Sequence, residues 1–154
     1  MSWSYSRSII IGRPPAEVFA FCSDLRRELE WNPDARSIEK LTDGPVGLGT
    51  RYRARWARTG ETQVEVVRFE PPHRWETTTE SLGMAIRVTG MVEADPAGAR
   101  YTVRLELRAR GLARLLAPLA LRSMARREPR HMIRIKRALE ATRPASGPAP
   151  RAAR

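Results

Sequence analysis

Between Arg36 and Arg110 the chain repeats with a period of two, and one long stretch of helical period follows. This combination constrains the fold more than any other feature, because a strand turns successive side chains to opposite faces. Tyr52, Ala54 and Trp56 therefore share one face, and Arg51, Arg53 and Arg55 share the other. The same rule sets Trp75, Thr77 and Thr79 against Arg74, Glu76 and Glu80, and Tyr101, Val103, Leu105 and Leu107 against Thr102, Arg104, Glu106 and Arg108. Met84, Ile86, Val88 and Val92 form another apolar face, while Glu61 to Phe69 is a more continuous strand around Val64, Val66 and Val67. The turn signals Thr59-Gly60, Pro71-Pro72-His73 and Asp95-Pro96-Ala97-Gly98 are short, so successive strands pair antiparallel. A sheet with one apolar face needs a second layer.

The stretch 112–141 is the element long enough to supply that layer. Its apolar positions, Leu112, Leu115, Leu116, Leu119, Met124, Met132, Ile133, Ile135 and Leu139, are expected to face the sheet. Pro118 and Pro129 are expected to kink or divide it. Upstream, Trp3 to Ile11 reads as a first strand, broken by Gly12-Arg13-Pro14-Pro15. Pro15 suits the first turn of a helix, where its missing N–H leaves nothing unpaired. Val18, Phe19, Cys22, Leu25 and Leu29 then follow helical spacing, with a break near Ser23-Asp24 and an end at Trp31-Asn32-Pro33. A short strand spans Ser37 to Leu41. The order is a strand, two short helices, six strands and one long helix. It predicts an α+β domain over residues 1–141, with a bent antiparallel sheet of about seven strands wrapped around the C-terminal helix. Residues 142–154, rich in Pro, Ala and Arg, are expected to be disordered.

The net charge is +11 among 154 residues, and its position matters more than its size. Residues 112–142 carry eight basic groups against Glu128 and Glu140, and Arg143, Arg151 and Arg154 follow, which leaves residues 1–111 almost neutral. Arg114, Arg122, Arg126, Arg127, Arg130 and Arg134 are candidates for docking to an anionic membrane surface or an acidic protein; the plainer reading is an ordinary solvated helix face. Nucleic acid ranks lower, because the strand aromatics are predicted inside and leave no exposed stacking platform. No apolar run approaches the length needed to span a bilayer, and Ile9-Ile10-Ile11 is too short for a signal-peptide core, so a cytoplasmic location is expected. Cys22, the one cysteine, sits in an apolar helix face and reads as a buried structural thiol.

Four segments stand in register with this element order. They are Ile9-Ile10-Ile11 followed by Pro14-Pro15-Ala16-Glu17-Val18-Phe19, then Trp31-Asn32-Pro33, then Gly44-Pro45-Val46-Gly47-Leu48-Gly49-Thr50-Arg51-Tyr52, and finally Glu70-Pro71-Pro72-His73-Arg74. On these segments, over roughly residues 3–141, the chain resembles the START-like (SRPBCC, helix-grip) superfamily, and within it the bacterial polyketide cyclase/dehydrase-like branch. The resemblance implies a cavity between sheet and long helix, used by relatives for lipids, sterols, aromatic polyketides or plant hormones. Some relatives catalyse cyclisation or dehydration, and many only bind.

Given that implied cavity, the inward faces supply its wall: Tyr52, Trp56, Trp75, Thr77, Thr79, Met84, Ile86, Val88, Tyr101, Val103 and Leu105. Such a wall is apolar with a few hydroxyls, as small-molecule sites usually are; the alternative is that these side chains fill the core. No inward-facing His, Asp or Glu emerges from the alternation. His73 and His131 are expected at the surface, and tyrosine is the titratable type on the inner face. Acid–base work in an enzyme would then fall to Tyr52 or Tyr101, with an arginine from the long helix. Neither metal-ligand spacing nor a phosphate-binding loop is present, so no cofactor is expected. The sequence thus favours a binder of a hydrophobic, lipid- or polyketide-like molecule. A cyclase or dehydratase using the same cavity, and a peripheral membrane or lipid-handling protein, are the alternatives.

Overall fold

The computed structural model describes residues 2–142, so all but the first residue of the 142–154 segment expected to be disordered lies outside the described residues. Strand β1 (Ser2–Ile11) is followed by α1 (Pro15–Ser23), a 3-10 turn (Leu25–Arg27) and α2 (Glu28–Trp31). Strands β2 (Ala35–Lys40), β3 (Arg51–Trp56), β4 (Gly60–Glu70), β5 (Arg74–Ser81), β6 (Met84–Asp95) and β7 (Gly98–Ala109) come next, and α3 (Ala113–Ala141) closes the chain. All seven strands form one antiparallel sheet in the order β1-β7-β6-β5-β4-β3-β2. This is the α+β helix-grip architecture. Pro15 does open α1, and Asp24 ends it by accepting a 3.1 Å hydrogen bond from the Arg26 amide, which starts the 3-10 turn.

Pro118 and Pro129 do not divide the long helix, which is one element from Ala113 to Ala141. Each proline deprives one carbonyl four residues back of its partner, but both are exposed, where water can take that partner's place. Its packing side also differs from the one expected. Ala117, Met132, Ile135 and Leu139 are buried, with Leu121 and Met124 partly so, whereas Leu112, Leu115, Leu116, Leu119 and Ile133 are exposed. At about 100° per residue, the stripe 117-121-124-128-132-135-139 faces inward and the 112-115-116-119 stripe lies roughly half a turn away. Both stripes have helical spacing. The inner one wins near the helix start because its alanines let α3 approach the sheet closely.

The central strands are bound together by one close contact. Trp75 on β5 reaches across Gly90 on β6, where a Cβ would sit only 2.1 Å from the indole ring. That absent side chain lets the indole stack on Tyr101 of β7 (5.8 Å between centroids, 7° between planes) and receive the edge of Phe19 from α1 (5.4 Å, 87°). On the opposite, outer face, Glu76 points away from Trp75 as the alternation requires. It is nevertheless buried, beneath Arg68, Arg74 and Arg87, whose nitrogens lie 3.7, 2.5 and 2.9 Å from its carboxylate.

Gly90→Ala is therefore expected to lower unfolding free energy by about 1–3 kcal/mol, as overpacking does. Gly47→Ala, where a Cβ would meet nothing within 4 Å, serves as the neutral control. Equilibrium denaturant unfolding measures both, with the fluorescence of the tryptophans reporting displacement of the Trp75 ring.

Candidate functional site

The register sets every predicted wall residue on the face that α3 covers. Tyr101, Val103, Leu105 and Leu107 stand opposite Val92, Gly90, Val88 and Ile86; Trp75, Thr77 and Thr79 stand opposite Gly90, Val88 and Ile86; Tyr52 stands opposite Val64. These residues share a face without forming one continuous core. Tyr52 packs with Ala54, Val64, Val66 and Leu25, while Tyr101, Trp75 and Val103 pack with α1 and the end of α3. Ile86 and Leu105 pack with Ala117 and Met124. The two candidate tyrosines are thus in separate clusters. Tyr52 is fully buried, and its hydroxyl, pushed up to about 12 by burial and then by the charge of Asp24, has no hydrogen-bond partner of normal geometry. The Thr79 hydroxyl is engaged at 2.7 Å by Thr62 and by the Gln63 carbonyl. Trp56, Thr79, Met84 and Val88 keep partial exposure on this face, while Thr77 is buried.

Contrary to the alternation-based expectation, two carboxyl groups face the interior, both from helices. Glu128 lies in the inner stripe of α3 between Met124 and Met132, and the Tyr5 hydroxyl of β1 donates a 2.9 Å hydrogen bond to its Oε2. Glu28, the first residue of α2, accepts a short hydrogen bond from the Asn32 amide one turn on, with the Trp56 indole beside it. Burial pushes the Glu28 carboxyl up to about 7, and the Glu128 charge adds to the effect against the opposing hydrogen bonds of Asn32 and Trp56. Burial also raises Glu128, with the Tyr5 hydrogen bond and the Arg7 charge working against it. Tyr101, raised far above its ordinary range by burial, feels the charges of Cys22, Glu128, Glu28 and Tyr5. Tyr5, Glu28, Tyr101 and Glu128 therefore form one electrostatically coupled group between sheet and helices.

Cys22, Glu28, Trp56, Val88, Met124 and Glu128 are each partly exposed. Burial alone raises the Cys22 thiol, with no cation near it to activate a thiolate. A separate depression of about 500 Å³ lies on the outer face of the sheet, where Arg51, Glu65, Glu80, Arg87, Glu106 and Arg108 give it a charged lining unlike this interior.

The histidines divide. His73 is exposed, as expected, whereas His131 is half-buried edge-on to Trp31 at 5.4 Å, and burial lowers its pKa. Among the basic residues, Arg127 is removed from the free surface by Asp34 (3.4 Å) and Ser123 (2.9 Å). Among the described residues no group of three or more His, Cys, Asp or Glu is gathered as a metal ion would need. Chemically, the interior offers a carboxylic acid that titrates near neutrality, a second carboxyl held by a tyrosine, and aromatic and aliphatic walls. Such a group can donate to a carbonyl oxygen or accept from a hydroxyl. The sequence signal for Glu128 is its place in the 3-4 apolar stripe, and for Glu28 the Glu28/Asn32 spacing of one turn.

Residues 2–143 match the family model described as polyketide cyclase/dehydrase and lipid transport. Among curated proteins none matches the chain. Solved structures share the fold at low identity. A START superfamily protein from Mycobacterium smegmatis is 12% identical with a TM-score of 0.74, over 90% of this chain and 97% of that one. The Ara h 8.0201 structure is 16% identical with a TM-score of 0.73, over 92% and 100%. The di-domain aromatase/cyclase BexL from the BE-7585A biosynthetic pathway is 18% identical with a TM-score of 0.69, over 93% of this chain and 51% of that longer chain.

A carboxyl whose folded pKa lies above its unfolded value holds its proton more tightly in the native state, so its contribution is full below pH 4.5 and is lost as pH rises through about 7. Unfolding free energy should therefore fall by about 2–3 kcal/mol across that window because of Glu28. Glu28→Gln should flatten the fall. Urea titrations of both proteins at a series of pH values measure the difference, and identical profiles would refute the assignment.

Proposed function

The chain belongs to the polyketide cyclase/dehydrase and lipid transport family, and we propose that it binds a hydrophobic small molecule bearing a carbonyl or hydroxyl group between the sheet and α3. Residues 1–141 form the ligand-binding domain in this reading. The observation that carries it is the pair of part-buried, electrostatically coupled carboxyls Glu28 and Glu128 between the sheet and the helices, with the Trp56 indole beside Glu28. Apolar walls supply the burial that drives an oily molecule out of water. The carboxyl pair fixes its orientation, because a buried polar group that a ligand satisfies discriminates strongly against analogues lacking the partner. Of the wall residues, Trp56, Met84 and Val88 meet the ligand directly; Trp75, Thr77, Ile86, Tyr101, Val103 and Leu105 are the layer beneath, and Tyr52 and Thr79 lie at the periphery.

A second reading has its own observation. The Glu28 carboxyl titrates near pH 7, the range in which a general acid–base group works best. A cyclase or dehydratase needs such a group to give a proton to a carbonyl or hydroxyl oxygen while a second carboxylate takes the proton of a neighbouring C–H bond. The electron pair of that bond forms the new carbon–carbon bond or, in dehydration, the double bond as water leaves. In that reading Glu28 is the catalytic residue, and Tyr5 positions Glu128 as its partner.

Native mass spectrometry of the protein from its own host is expected to show a co-purifying apolar molecule. Val88→Phe tests where it sits. If open space adjoins Val88, the larger ring is accommodated with little loss of stability while ligand affinity falls by at least about 10-fold; a filled core would instead be destabilised by about 1–3 kcal/mol. Glu28→Gln separates the two readings. In a binder it weakens affinity alone, and in an enzyme it abolishes turnover of the identified molecule while binding persists.

A further inference from the structure

The outer face of α3 is the least expected surface of the molecule. Leu112, Leu115, Leu116 and Leu119 are 84, 78, 63 and 68% exposed, at spacings that bring all four to one side of the helix start. A fifth leucine joins them from the β5–β6 turn. Gly83 packs against Ala113, and the Arg110 amide donates to the Gly83 carbonyl at 3.4 Å, so the hairpin tip abuts the helix start. At that tip Leu82 is 74% exposed and holds a φ of 52°. A leucine in the left-handed region is strained, and here the strain presents an apolar side chain to solvent.

Positive charge continues this leucine face. Further along α3 the same outer face changes from leucine to arginine at Arg122, Arg126, Arg130 and Arg134, all exposed. One helix face thus begins apolar and continues basic.

We propose that this face of α3 docks on an anionic lipid bilayer. The leucines enter the boundary between headgroups and acyl chains, and the Arg122–Arg134 row lies along the headgroups. The charge decides the occupant: a row of arginines on the same face as the leucines finds its partner in an anionic headgroup layer, whereas a second copy of this chain, with its net charge of +11, brings only more positive charge. The inference goes beyond small-molecule binding and stands whether or not the interior holds a ligand.

Co-sedimentation of the full chain with vesicles of phosphatidylcholine alone, and of phosphatidylcholine with phosphatidylglycerol, tests it. Binding is expected only to the anionic vesicles, and is expected to weaken with salt. Replacing Arg122, Arg126 and Arg130 together by Ala should weaken it about 100-fold, from the usual contribution of a basic side chain near an anionic surface. Leu115→Ser with Leu119→Ser should weaken it by at least about 10-fold while leaving the fold intact by circular dichroism, because both side chains are exposed. Equal binding to both vesicle types, no binding, or variants that bind like the parent would overturn the proposal. So would a dimer in sedimentation equilibrium that the leucine substitutions turn into a monomer.

Discussion

A single helix about 10 Å wide has to cover a seven-stranded sheet that would be roughly 30 Å across if flat. No straight packing solves that mismatch, so the sheet bends around the helix and the helix still covers only part of it. Its principal contacts are with β1, β7, α1 and α2, and α1 spreads the cover to β6 and β7. Over β3 and β4 the cover comes from Leu25 in the 3-10 turn and from Ile38, Trp56 and Phe69 rather than from α3. The seam between the two kinds of cover is where Glu28, Trp56 and Glu128 meet. The site is therefore a consequence of coverage. Gly90 belongs to the same problem, since the Trp75 ring that crosses it fills space between the sheet and α1.

Two carboxyls in such a seam call for a physical explanation. Removing a charged carboxylate from water costs several kcal/mol unless partners replace the water, and Glu28 has a side-chain amide and an indole where a buried carboxylate ordinarily has a cation. Among the described residues, Arg7 is the cation that acts on Glu128, lowering its pKa against the effect of burial. A purely structural role would be served as well by glutamine. What the carboxyl adds is a proton held near neutrality away from bulk water, a local conflict with stability.

The strands were legible because their signal has one phase. With a period of two, an error of one residue inverts every side chain, so the runs Tyr52–Trp56 and Tyr101–Leu107 admit a single inward face. The long helix was not legible in the same way, because it carries two stripes of helical spacing. Leu112, Leu115, Leu116 and Leu119 are the more hydrophobic, yet Ala117 packs, since closeness of approach outweighs side-chain size where backbone meets sheet. Glu128 was hidden for the same reason. Once the wrong stripe is taken as the inner one, an acidic residue in the other reads as solvent-facing. Glu28 escaped because a four-residue helix has too few turns to show a face, and its burial comes from Trp56 and α3, which are distant in sequence.

The two faces of α3 can be considered separately because the helix itself holds them apart. Glu128 and the leucine stripe lie about half a turn from each other across a cylinder about 10 Å in diameter, near the distance beyond which substitutions act independently. A bilayer in contact with the outer face therefore has no direct purchase on the carboxyl pair, and a ligand beside Glu28 has none on Leu115 or Leu119. On the inner face at the helix start stand Ala113 and Ala117, packed toward Ile86, Leu105 and Leu107. This packing holds the start of α3 against the sheet beneath the exposed leucines, while Glu128 lies further along the same helix. One continuous element can thus carry an apolar docking end and a polar interior wall without compromise, because each occupies a different length and a different side of the helix.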